Sequence, residues 1–322
     1  MLELRQKLMK QNVSKFNFAT RLNSFLYKYP NTNSLMLLEK ISKIQGLEYV
    51  DLNYPEHTTG VTPNELKLRL NELNLKLNSI EMRYNKLDDN SGVLALASNE
   101  QKKRNKAVDV TLKAIDYLKN SGGTTLSIWP SLEGYDYSFQ INYYKSYEAL
   151  VHSLRRICDY DKSIKISIEF KPQDLYSFSL VPNFISSVLL ANDVGTKNIG
   201  VTMDFCHLLM SHESPAASLD MAFHKTNVFG IHLNDGYSFR DDGLIVGSVH
   251  PIQTLETISV LNKNKFKGVI YFDTFPVYLD PVSECQQNIK YTNYLLKAVS
   301  GAKSSDIIKV FDINKFLSRL KK

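Results

Sequence analysis

Four residues carry the chemistry that this sequence offers: Glu169, Asp204, His232 and Asp273. Each ends a short apolar run rich in β-branched residues, within 166–172, 200–207, 228–235 and 268–276. Parallel strands buried on both faces read as near-continuous apolar runs. A carboxylate ending such a run is costly to bury unless it is paired or bound to a cation. The clearest case is Asp273, which closes Val269-Ile270-Tyr271-Phe272. Three carboxylates and one imidazole suit a divalent cation such as Mn, Co, Zn or Mg. A cation held this way keeps positions open for two substrate oxygens and can polarise a hydroxy-carbonyl compound. The expected chemistry is that of sugars.

Other groups fall beside these four. Lys171 lies two residues after Glu169, on the same side of the strand. His207 follows Asp204 by three, so it can fold back toward the same point; alternatively, Asp204 caps the following helix and His207 is on the surface. Asn234 alternates with His232. Asp241-Asp242-Gly243 reads either as a turn or as part of a second metal site. Trp129, the single tryptophan, precedes a polar aromatic loop containing Tyr137 and Gln140. An aromatic face there suits a sugar ring, although a core tryptophan reads the same way. His57, after the second strand, is expected to reach the rim and handle protons at a sugar oxygen.

Four strand ends meet at one point on the C-terminal rim of a (β/α)8 barrel. Strand and helix patterns alternate with the spacing of βα units. Strands are expected at 22–29, 47–52, 75–83, 124–129, 164–171, 199–205, 228–234 and 268–274. The intervening helices are 32–45, 62–73, 100–120, 143–160, 184–191, 215–225 and 252–262, with a last one at 285–300. Residues 1–20 read as a helical N-terminal arm and the last ~20, 301–322, as a short C-terminal extension, with one barrel domain between them. An open doubly wound sheet would want a Gly-rich phosphate turn after its first strand, which this sequence lacks. Long loops at 85–98 and 130–142 are placed to cover the barrel mouth.

Composition bounds the class. The chain has 322 residues, 43% of them hydrophobic and 22% charged, as in an ordinary globular protein. A net charge of +6, spread over many lysines, reads as a solvated surface and demands no nucleic-acid partner. The three cysteines, Cys158, Cys206 and Cys285, are far apart and without CxxC spacing, as expected of free thiols in a reducing cytoplasm. No stretch approaches the ~18 apolar residues of a membrane span, and the charged N-terminus lacks a secretory core.

These motifs resemble the xylose isomerase-like superfamily of TIM-barrel sugar isomerases and epimerases, and within it the L-rhamnose isomerase branch. Its Glu-x-Lys-Pro strand is matched by Glu169–Pro172, its acidic-x-x-His by Asp204–His207, its seventh-strand ligand and following Asn by His232 and Asn234. Its Asp-rich loop is matched by Asp241-Asp242-Gly243-Leu244 with Gly247, and its last strand by Phe272-Asp273. The resemblance implies a metal held by Glu169, Asp204, His232 and Asp273, and a second held with the help of Asp204, His207 and Asp241. It further implies Lys171 on the C1 oxygen, Trp129 walling a monosaccharide, transfer of hydrogen between C1 and C2, and a homodimer or homotetramer. Gly243 stands where the family's Asp-x-Asp loop wants a second aspartate, against a two-metal mechanism. The related ketose 3-epimerases use one metal and two glutamates as acid and base, whereas here the last ligand is Asp273. A barrel endonuclease acting on abasic DNA needs more ligands than seven histidines supply. A non-catalytic sugar-binding barrel would not need all four strand-end ligands.

Overall fold

The computed structural model of the protein describes residues 16–30, 32–84, 95–130, 134–173 and 178–300. Eight parallel strands close into a barrel: β1 (Asn17–Arg21), β2 (Tyr49–Tyr54), β3 (Lys76–Met82), β4 (Thr125–Ile128), β5 (Lys165–Glu169), β6 (Ile199–Asp204), β7 (Val228–Leu233) and β8 (Val269–Phe272). Each strand pairs with its sequence neighbours, and β8 pairs with β1 to complete the ring. The fold is a (β/α)8 TIM barrel.

Helices surround it where the apolar periodicity places them. Among them are α1 (Ser34–Ile41), α2 (Pro63–Glu72), α3 (Gln101–Asn120), α4 (Tyr143–Tyr160), α5 (Phe184–Val194), α6 (Phe205–Met210), α7 (Pro215–Lys225), α8 (Pro251–Lys263) and α9 (Pro281–Val299). The start of α2 shows how the sequence fixes an end. Thr62 accepts from the Glu65 N–H, the Glu65 carboxylate accepts from the Thr62 N–H, and Pro63 takes the first helical position. A two-stranded antiparallel sheet, Gly134–Tyr135 with Phe178–Ser179, lies outside the barrel.

The strands alternate instead of being apolar throughout. Ile166, Ile168, Val201, Met203, Ile231 and Leu233 join the hydrophobic core beneath the helices. The residues between them line the lumen, where Ser167 and Thr202 share a 2.6 Å hydrogen bond. The lumen also carries Asp51, Ser79, Glu81, Ser127 and His232. A polar lumen suits a barrel whose upper end must present charged groups.

One boundary is corrected. The first strand is Asn17–Arg21, not 22–29; Leu22–Phe25 is a 3₁₀ turn with Leu22 and Phe25 buried. Residues 17–20 therefore belong to the barrel and not to an N-terminal arm. Residues 1–15 of that arm, the C-terminal extension and most of the loop at 85–98 lie outside the described residues. All three cysteines are unpaired and buried. Among the described residues no helix is long and apolar enough to cross a membrane.

Candidate metal centre

Register explains the convergence. Asp204 lies opposite His232 across β6 and β7, and His232 opposite Tyr271 across β7 and β8. Asp273 is two residues beyond Tyr271, on the same side, and Glu169 comes up from β5 opposite Thr202. Glu169, Asp204, His232 and Asp273 each offer one ligand atom, and the four atoms lie within 4.8 Å of one another. All four side chains are buried.

The donor set fits a divalent cation. His232 Nδ1 is buried and makes no hydrogen bond, although Glu169 Oε1 is 3.4 Å away and Asp204 Oδ2 3.8 Å. Burial pulls the His232 imidazole toward its neutral form, but Glu169 and Glu81 outweigh it and drive its pKa up to about 10. His207 rises to about 9, against burial, through Asp204 and Asp241. Burial likewise pushes Glu169 up, yet His232 and His207 hold it down to about 2, whereas burial leaves Asp204 at about 7. Protons held this far above the usual imidazole range mark a place where the carboxylates seek positive charge. A divalent cation answers the same need while leaving the imidazole neutral for ligation.

The family follows from a direct match. Residues 38–295 fit the model of the xylose isomerase-like TIM barrel. The chain belongs to that family. No curated protein matches the sequence. Solved structures share the fold at low identity. A D-tagatose 3-epimerase-like protein superposes with a TM-score of 0.71 and 17% identity, covering 88% of this chain and 98% of its own. An IolI protein with a bound zinc atom gives 0.68 and 18%, covering 89% and 100%. The D-psicose 3-epimerase of Clostridium cellulolyticum H10, solved with D-tagatose, gives 0.68 and 14%, covering 87% and 99%.

Within this xylose isomerase-like barrel, a cavity of about 460 Å3 is lined by two of the four grouped residues, Glu169 and Asp273, and in part by Trp129, Lys171, His207 and Asp241. Asp204 does cap α6, accepting from the His207 N–H at 2.9 Å, but His207 is buried and not on the surface. Its Nε2 lies 3.3 Å from Asp241 Oδ2, and Lys171 Nζ lies 3.1 Å from the same oxygen. Asp241 is thereby held far below the usual carboxylate range, against its burial, by His207 and Lys171. Lys171 also stands 4.9 Å over the Trp129 ring.

Asp241 does not join the four-ligand group among the described residues. Asp242 cannot replace it, because its oxygens accept from the Tyr237 N–H and Arg240 Nε. Gly243 has φ +56°, and a Cβ there would come within 2.4 Å of the Phe275 ring. Any larger residue would have to move that ring and take up a left-handed backbone, so an aspartate here carries a steric cost.

Other expected substrate contacts sit elsewhere. Asn234 is fully buried; its Nδ2 donates to Asp204 Oδ2 and the Asp273 carbonyl, both at 3.2 Å, and its Oδ1 accepts from the Cys206 N–H. It positions two ligands and does not face the cavity. Tyr137 and Gln140 are exposed, Tyr137 stacked on Phe139, and neither lines the cavity. His57 is buried in its own loop, where Nδ1 accepts from the Asn53 N–H and burial lowers its pKa to about 4. It too is absent from the cavity wall.

Sequence reasoning missed Arg21 and Arg83. Arg21 ends β1 and donates to Asp273 at 2.5 Å, with its guanidinium 4.4 Å over the Phe275 ring. Arg83 follows β3 and stands 5.0 Å over the other wall, Trp129. Each is a charge at a strand end, the signal that identified the four ligands. Below them, Asp51, Glu81 and His232 form a second buried group in the lumen.

In that group, Ser79 Oγ lies 2.6 Å from Asp51 Oδ2 and 2.8 Å from Glu81 Oε1. A hydroxyl has one proton to donate, so one of the two carboxyls must carry a proton itself. Burial and the Glu81 charge push Asp51 up to about 7. The folded state then holds a proton that the unfolded chain releases near 3.8. That contribution to stability is greatest below the unfolded value and is lost as pH rises toward 7. Asp51→Asn removes the dependence. Between about pH 5 and pH 8, in chelator, its urea-derived stability is expected to fall about 2 kcal/mol less than the wild type's.

Proposed function

We propose that the protein is a metal-dependent isomerase that interconverts an aldose and a ketose through one cation and proton transfer. The observation that carries this reading is the buried donor group Glu169, Asp204, His232 and Asp273, two of whose members, Glu169 and Asp273, line the cavity, beside an Asp241 engaged with Lys171 and His207. The bound cation would polarise the carbonyl and hydroxyl oxygens of the sugar. Glu169 then takes the proton from C2 and returns it to C1, and Lys171 moves the hydroxyl proton between the two oxygens. Trp129 supplies an apolar wall for the ring or chain.

A second reading, a ketose 3-epimerase, needs a proton donor and acceptor on opposite faces of one carbon. Its fold-level support is the likeness to 3-epimerase structures. Against it, Asp273 is a short arm already held by Arg21, which makes it a poor second base. Both readings place the protein in the cytoplasm, in keeping with its unpaired buried thiols, with a monosaccharide as partner and a homodimer or homotetramer as its assembly.

Incubating Mn- or Co-loaded protein with aldoses and ketoses in deuterated water, and resolving the products, decides between them. The isomerase yields a C2 ketone from an aldose. Conversion of one ketose into another, labelled at C3, supports the epimerase, and no metal-dependent turnover of any sugar defeats both.

A further inference from the structure

The cavity wall carries four basic side chains, Arg21, Arg83, Lys171 and Arg240. Three are answered by carboxylates of the protein: Arg21 by Asp273, Lys171 by Asp241 and Arg240 by Asp242. Among the described residues, no carboxylate forms an ion pair with Arg83. Its guanidinium lies over the Trp129 ring, which also faces Lys171. The indole N–H of Trp129 is buried and makes no hydrogen bond.

Glu169 and Glu81 act on Arg83 only at a distance. Its guanidinium therefore lines the cavity with no acceptor in direct contact among the charged groups of the described residues. A neutral sugar would offer this part-buried group hydroxyls alone, whereas an anion offers it a charged acceptor. Stacking on an aromatic face fixes the guanidinium plane while its N–H edge stays open for a bidentate acceptor. Such an edge matches phosphate or carboxylate, which a lysine would bind less specifically.

We propose that the substrate is an anionic monosaccharide derivative, a sugar phosphate or a sugar acid, whose charged end binds Arg83 beside Trp129 while its hydroxyls face the four-ligand group. The proposal rests on the metal reading and narrows its substrate class.

Calorimetric titration of Mn-loaded protein tests it with D-fructose, D-fructose 6-phosphate, D-glucuronate and inorganic phosphate. The phosphate ester or the uronate is expected to bind at least tenfold more tightly than the neutral ketose, and which of the two does so identifies the anion. Arg83→Met is expected to weaken the anionic compound by about 10- to 100-fold, the worth of a charged hydrogen-bonded contact. The neutral ketose and the affinity for Mn should be unchanged, and Arg83→Lys should fall between. Equal binding of neutral and anionic sugars, or equal weakening of both in Arg83→Met, overturns the proposal. Titration with Mn alone separates the two readings. Protein that takes Mn without preferring anions keeps the metal and loses the anionic substrate. Protein that takes no Mn loses both, since the substrate hydroxyls then have no cation to face.

Discussion

Glu169→Gln is expected to lower turnover by about three to four orders of magnitude while leaving the barrel folded. A general base alone contributes about 10²- to 10⁴-fold, and this carboxylate is also one of the four candidate ligands. Glutamine keeps the shape but removes the negative charge that faces His232 Nδ1 at 3.4 Å and His207 Nδ1 at 3.5 Å. Cation affinity should fall with turnover, and the fall should be visible by titration with Mn in the absence of sugar. Circular dichroism and a melting temperature within a few degrees of wild type would show that the loss is chemical. Turnover within tenfold of wild type would remove Glu169 from the chemistry.

The second large effect is on stability. Asn234→Leu is expected to destabilise the protein by about 3–5 kcal/mol, because each unsatisfied buried polar group costs about 1–3 kcal/mol. Leucine fills nearly the same space but leaves the Cys206 N–H without its acceptor and the Asp273 carbonyl without a donor. It also withdraws the amide that steadies Asp204, so affinity for the cation should decline as well. Urea denaturation in chelator isolates the folding term, and Mn titration reads the other. A change below about 1 kcal/mol would mean that water or a shifted backbone replaces these bonds.

The convergence of Glu169, Asp204, His232 and Asp273 was legible in the sequence because a charge ending an apolar strand has few packing explanations. The same logic reached the barrel through eight alternating units, seven of them at the right place. It failed at β1, where Leu22 and Phe25 are three apart on one buried face of a 3₁₀ turn and mimic a strand. With the strand displaced, Arg21 fell between the expected arm, ending at residue 20, and the expected strand, starting at residue 22, so it was not read as a strand end. Lumen residues such as Asp51 and Glu81 escaped notice because the strands were read as uniformly apolar, when they alternate between core and lumen. Tyr137 and Gln140 follow Trp129 closely in sequence, but closeness along the chain does not carry them into the cavity. Adjacent acids in a loop are beyond pattern reading: whether Asp241 or Asp242 turns inward depends on backbone dihedrals such as the positive φ of Gly243.

The contact between Arg21 and Asp273 spans 252 positions along the chain and sits on the seam where β1 meets β8. During synthesis, three of the four donors can emerge and pair with their neighbouring strands while the fourth is still unmade. Under the reading proposed above, capture of an ion by all four groups waits for β8 to pair with β7. Joining the two ends of the cylinder then adds Arg21 to Asp273, which steadies the last donor without creating it.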